Sequence, residues 1–90
     1  MPYAIVYHPK VLEDIELLDH KQRKIISKAI ETRLGIEPAK YGKPLSGSLK
    51  GYWKLRVGDV RVVFKISKTE VLILGILNRK MVYEKIFKRL

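Results

Sequence analysis

Cysteine is absent from this 90-residue chain. That excludes a disulfide framework, a thiolate metal site and thiol redox chemistry. Histidine is scarce: His8 and His20 stand apart near the ends of expected elements, and two isolated imidazoles do not make a zinc site. No metal or cofactor is expected. Acidic residues number nine against nineteen Lys and Arg, and no two carboxylates look placed for acid–base work. There is no P-loop, GxGxxG or Ser–His–Asp set. The longest apolar run, residues 71–77 around Gly75, is far short of the roughly 20 residues that a membrane span needs. The opening MPYAIVYHPK has neither a basic n-region nor a long apolar h-region. No signal peptide and no membrane partner are therefore expected, and the chain reads as cytoplasmic.

What is present is a core and a charge. Hydrophobic residues make up 47% of the chain, enough for residues 1–90 to form one small domain. The net charge is +10 and the pI is near 10, which points to nucleic acid or an acidic protein as partner. The charge is unevenly spread. Residues 1–49 hold eight Lys and Arg against six acids, whereas residues 50–90 hold eleven against three.

Residues 51–83, GYWKLRVGDVRVVFKISKTEVLILGILNRKMVY, carry most of that excess. They read as a β-meander. A two-residue loop at Gly58-Asp59 sets Val57 opposite Val60, Leu55 opposite Val62 and Trp53 opposite Phe64, all on one face. The same register sets Arg56 opposite Arg61 on the other face, with Lys54 and Lys65 beside them. Like charges across a ladder destabilise it by a few tenths to about 1 kcal/mol per pair. An anionic partner such as a phosphate backbone would remove that cost.

The remaining elements follow from pattern. Residues 3–8 suit a first strand ended by Pro9. A short helix follows over residues 9–18, with Val11, Leu12, Ile15 and Leu18 on its apolar stripe. Asp19 can cap a second helix carrying Ile25, Ile26, Ala29, Ile30, Arg33 and Leu34 at amphipathic spacing, with Gly35 as the C′ residue. Residues 36–49, with Pro38, Gly42, Pro44, Ser46, Gly47 and Ser48, read as an irregular basic loop. Residues 71–77 are apolar on both faces and read as a central strand. Residues 80–90 carry Val82, Ile86, Phe87 and Leu90 at helical spacing. The expected fold class is α+β: an antiparallel β-meander with an N-terminal strand, an αα-hairpin packed on one face and a basic groove on the other.

If such a domain is an enzyme, its side chains are Lys, Arg and Tyr. Attack of an RNA 2′-hydroxyl on the neighbouring phosphate suits that set and requires no metal. Guanidinium groups stabilise charge developing on phosphate oxygens. A lysine among arginines has its charged form disfavoured, which suits a general base. A tyrosine can stack on a base. Plain nucleic-acid binders use the same residues.

The run from Tyr52 to Phe64, YWKLRVGDVRVVF, followed by Asn78 to Tyr83, NRKMVY, closely resembles the RelE/ParE superfamily of type II toxin–antitoxin toxins. The resemblance extends over nearly the whole chain. RelE-type members are ribosome-dependent mRNA interferases that cut mRNA in the A site. By that resemblance Lys54, Arg61, Arg79 and Tyr83 are the expected catalytic residues. Arg56, Lys50, Lys65, Lys43 and Lys80 are the expected RNA contacts. Two positions depart from the pattern: Tyr52 replaces a lysine found in many relatives, and Asn78 a histidine. A neutral amide is no general acid near pH 7, so protonation of the leaving 5′-oxygen would fall to a cation or to the ribosome. The other readings are a ParE-like DNA gyrase poison and a non-catalytic nucleic-acid-binding member. The implied partners are a cognate acidic antitoxin, in a toxin–antitoxin hetero-oligomer, together with the ribosome and mRNA.

Overall fold

The computed structural model describes residues 2–90. The N-terminal strand β1 is Ala4–Tyr7. Two helices follow, α1 (Val11–Glu16) and α2 (His20–Ala29), and a π-helical turn, Ile30–Leu34, extends the second. The tight joint between them is built by Asp19. Its Oδ1 accepts from the Gln22 N–H at 2.7 Å while Gln22 Oε1 accepts from the Asp19 N–H at 3.2 Å, a reciprocal cap that satisfies two orphan donors. Arg23 Nε donates to the carbonyls of Ile15 and Leu18 at the end of α1. Gly35 is not a left-handed C′ residue, for its φ is −70°. The Ile30–Leu34 turn brings the Glu31 carbonyl oxygen to 2.6 Å from where a Cβ at position 35 would stand, so glycine is required by close approach.

The stretch expected to be irregular contains a short helix α3 (Pro38–Tyr41), a two-residue strand β2 (Lys43–Pro44) and a 3₁₀ turn at Gly47–Leu49. Such short elements have too little periodicity to register in sequence. The meander then runs as expected through β3 (Trp53–Val57), β4 (Val60–Ile66) and β5 (Glu70–Asn78). Val57 faces Val60, Arg56 faces Arg61, Leu55 faces Val62 and Trp53 faces Phe64, the two rings stacking at 6.5 Å. The sheet order is β1-β5-β4-β3-β2. Its meander is antiparallel, and β1 joins β5 in parallel, so the apolar 71–77 run is central.

The αα-hairpin covers one face, where Val11, Ile26, Ile30 and Leu34 pack on Leu55, Val62, Phe64, Val71, Ile73 and Ile76. Leu12 and Ile25, read as stripe residues, are instead exposed at 65% and 50%. On α1 the buried face carries Asp14 beside Val11 instead.

The other face is not an open basic groove. Helix α4 (Val82–Phe87) lies on it, and Val82 and Ile86 are buried with Leu49, Val63, Leu74 and Leu77 in a second core. A six-residue helix is not stable alone; burying each of those two side chains is worth about 1.5–3 kcal/mol. Room for it comes from β5. Val63 pairs with Gly75 and Phe64 with Ile73, leaving Leu74 as the extra residue of a bulge. A Cβ at Gly75 would stand 2.7 Å from Ile86 Cδ1 and 3.1 Å from Arg89 Nη1.

Arg89, just beyond α4, makes a bidentate pair with Asp14, Nη1 to Oδ2 and Nη2 to Oδ1, both at 2.7 Å. The pair also completes the edge of β5 beyond the end of β1. The Ile76 N–H donates to Asp14 Oδ2 at 3.0 Å and Arg89 Nη1 donates to the Leu74 carbonyl at 2.8 Å. Hydrogen bonding to Asp14 raises the Arg89 pKa above the ordinary arginine value, opposed by burial and aided by the charges of Asp14 and Glu13. A raised basic pKa adds stability below the unfolded value that is lost only above the folded one, so through Arg89 the pair is insensitive to pH near neutrality.

Three outcomes are expected of this arrangement. Arg89→Met should lower unfolding stability by about 3–5 kcal/mol, since it leaves a buried carboxylate unpaired. Asp14→Leu/Arg89→Met should recover part of the loss in denaturant titration, but not all, because the Ile76 N–H and Leu74 carbonyl remain orphaned. Gly75→Ala should raise amide exchange in α4 about tenfold or more, while the β4–β5 amides stay protected.

Candidate functional site

Helix α4 presents two flanks beside its buried stripe. Tyr83 and Phe87, four residues apart, share one flank and are 38% and 50% exposed. With Pro44, Leu45, Ser46, Ser48 and Leu49 from the β2–β3 connection, and with Lys54, they line an open groove of about 390 Å³. Lys54 is half-buried in β3. This groove brings together two of the four expected catalytic residues, one ammonium and one phenol.

The other two lie outside its lining. Arg61 is half-buried on the same sheet face as Arg56. Its Nη1 folds back on the β3–β4 turn and donates to the carbonyls of Gly58 at 2.9 Å and Val60 at 3.1 Å. No protein acceptor engages Nη2 or Nε among the described residues. Arg79 is exposed just past β5, where its N–H donates to the Asp59 carbonyl at 2.9 Å and holds the β5–α4 connection against the hairpin.

The expected RNA-contacting cations are spread around this region. Lys43 on β2 stands directly opposite Lys54, one step along β3 from the Arg56–Arg61 pair on the same face. Lys50 is exposed after the 3₁₀ turn. Lys65 is exposed, with its ammonium 5.8 Å from the centre of the Tyr52 ring, so the tyrosine replacing a lysine serves as a cation–π platform. Lys80 is exposed, and Asn78 Oδ1 accepts from its backbone N–H at 2.8 Å. Asn78 therefore closes the turn into α4. Among the described residues the ion pairs are Lys10–Glu13 and Arg89–Asp14. Every cation of the meander's basic face lacks a carboxylate partner.

Sequence reasoning missed Asp14 and Arg89, which hold α4 and hence Tyr83 in place. A signal was there: Asp14 falls within the Val11–Ile15–Leu18 stripe, and a carboxylate on a buried stripe needs a cationic partner. It also missed Arg33 and Tyr41, which the fold carries to the free edge of β3. No pattern in the sequence links them to that strand.

Comparison with known proteins agrees with this fold. The family described as ParE toxin of type II toxin-antitoxin system, parDE, matches residues 5–83. The fold is similar to that in the toxin–antitoxin complex RelBE2 of Mycobacterium tuberculosis, with a TM-score of 0.83 and 27% identity, covering 88% of this chain and 93% of that one. It is also similar to the archaeal RelE–RelB complex of Pyrococcus horikoshii OT3 (TM-score 0.69, 22% identity, 88% and 97% covered). YafQ of E. coli BL21(DE3) shares the fold too (TM-score 0.66, 19% identity, 90% and 98% covered). No curated protein sequence matches significantly. The α+β sheet with its helices, the toxin block in β3 and β4 and a family match over most of the chain agree: the chain belongs to the ParE toxin family of type II toxin–antitoxin systems, within the RelE/ParE superfamily.

Proposed function

We propose that this toxin is an endoribonuclease that cleaves mRNA in the ribosomal A site without a metal. The observation that carries the reading is the shared groove of Lys54 and Tyr83, bordered by a sheet face whose cations have no protein counter-charge. Lys54 would accept the proton of the 2′-hydroxyl. The 2′-oxygen would then bond to the adjacent phosphorus as the bond to the 5′-oxygen breaks, leaving a 2′,3′-cyclic phosphate and a 5′-hydroxyl. Arg61 suits stabilisation of the extra phosphate charge, its Nη1 anchored on two carbonyls and its Nη2 free to donate. Arg79 would add charge from the far end of β5, and Tyr83 would stack on a base.

Two features favour dependence on the ribosome. The groove is open rather than enclosing, so it cannot alone hold a flexible strand in attack geometry. Asn78 is engaged in a turn and supplies no acid, so a cation or the ribosome must protonate the leaving oxygen. An acidic antitoxin is the proposed protein partner, supported by fold relatives solved as toxin–antitoxin complexes. The exposed Met81, Phe87 and Leu90 around α4 offer apolar contact beside the cations.

One observation favours a second reading, gyrase poisoning: the matching family is described by the ParE name. Induced expression followed by primer extension on mRNA, with a supercoiling assay in parallel, separates the two. Cleavage at A-site codons is expected; loss of supercoiling without mRNA cleavage would overturn the RNase assignment. Arg61→Ala should reduce cleavage by about 10²–10³-fold with the fold intact, the scale of losing one donor to a developing oxyanion. Tyr83→Phe should keep most of the activity and Tyr83→Ala should lose it. Equal loss in both would assign the role to the hydroxyl.

A further inference from the structure

Lys54 faces a second hollow besides the groove. Strand β2 pairs only with Trp53 and Lys54, so the edge of β3 beyond them has no strand partner. At that free edge Arg33, Tyr41, Lys43, Lys54, Leu55 and Arg56 line a depression of about 170 Å³. Lys40 adds a further cation at its rim, its ammonium 5.4 Å from the centre of the Tyr41 ring. The arginine comes from the π-helical turn, the tyrosine from α3 and the rest from the sheet edge. Four separate elements thus converge on one spot.

The electrostatics of this hollow are one-sided. Lys43 opposes Lys54 and Arg56 opposes Arg61 on successive same-face rungs of the ladder. Among the described residues no carboxylate pairs with Arg33, Lys40, Lys43, Lys54 or Arg56. None of their side chains donates a hydrogen bond to the protein, in contrast to Arg23, Arg61 and Arg89. Like charges facing across a ladder are destabilising, and here nothing internal offsets them. The two guanidinium groups lining this depression, Arg33 and Arg56, match the oxygens of a phosphodiester. A phenol ring 44% exposed beside them offers a face to a base.

From this we infer that the hollow is a second nucleic-acid subsite, binding the backbone phosphate of a single strand one or a few nucleotides from the scissile position. Lys54 joins it to the groove of Tyr83, so a strand crossing β3 would touch both. Arg33 and Arg56 grip the phosphate, Lys43 and Lys40 contribute charge, and Tyr41 carries the adjoining base. The exposed Tyr41 ring beside the cations favours RNA, in which every nucleotide carries a stacking face next to its phosphate. This subsite rests on the RNase reading for its placement, but its binding is measured without cleavage.

The test is fluorescence anisotropy of a labelled, uncleavable 2′-O-methyl oligoribonucleotide with the purified full chain across a range of salt. Arg33→Gln should weaken binding about tenfold at low salt and lower the slope of log K against log salt by about 0.7, the value for one lost contact on a single strand. Tyr41→Ala should weaken it about fivefold or more, and Tyr41→Phe little. Lys21→Gln, which changes the same charge on an exposed position of α2, should leave the slope unchanged. Equal effects of Arg33→Gln and Lys21→Gln, or no binding by the unmodified chain at any salt, would overturn the subsite. So would equally tight, Arg33-dependent binding of a poly-glutamate of the same length, which would assign the hollow to an acidic protein. Arg33-dependent binding by a chain that cuts no mRNA would keep the subsite and remove the RNase reading; cleavage with unaltered binding in Arg33→Gln would do the reverse.

Discussion

The buried pair of Asp14 and Arg89 is the constraint on which the arrangement of this toxin depends. It joins three elements that otherwise have little reason to meet: α1 on one side of the sheet, the segment after α4 on the other, and the edge of β5 that β1 leaves unpaired between them. The edge would be costly to leave open, since buried backbone donors and acceptors need partners. Here the two charged side chains supply them and neutralise each other as well, and no buried side-chain nitrogen or oxygen lacks a hydrogen-bond partner among the described residues. A charge pair this buried is rarely a net gain over apolar packing. Its value lies in fixing one position for α4.

That position decides how the basic face is divided. The helix covers the part of the sheet nearest β5, burying Val63, Leu74 and Leu77. The cations of β3 remain uncovered. The result is an apolar ridge carrying Tyr83 and Phe87 next to a strip of unpaired positive charge. Lys54 stands where the two meet and belongs to both hollows. A partner suited to this surface combines negative charge with apolar or stacking groups, a character shared by nucleic acids and by acidic segments that carry apolar side chains.

The meander was legible in the sequence because its signals are local. Alternation at a period of two, with a Gly-Asp loop, sets the register of β3 against β4, and a one-residue slip would have turned Leu55 and Val62 outward. Asp19 as a cap and 71–77 as the central strand are of the same kind. The candidate site was less legible. Lys54 and Tyr83 meet, but Arg61 is tied to its own turn and Arg79 to Asp59, roles that depend on side-chain geometry rather than residue type.

The sequence by itself determined the pairing of β3 with β4 and its Arg56–Arg61 rung, because these depend on residues a few positions apart, and the charge asymmetry, which is composition alone. The tertiary structure decided the rest. Whether residues 82–87 lie on the sheet, what becomes of Asp14 and where Arg33 and Tyr41 come to stand all depend on contacts between distant segments. The 75-residue separation of Asp14 and Arg89 leaves no periodicity to read. Only closing the chain around the bulge at Leu74 brings that carboxylate and that guanidinium to the same edge of β5.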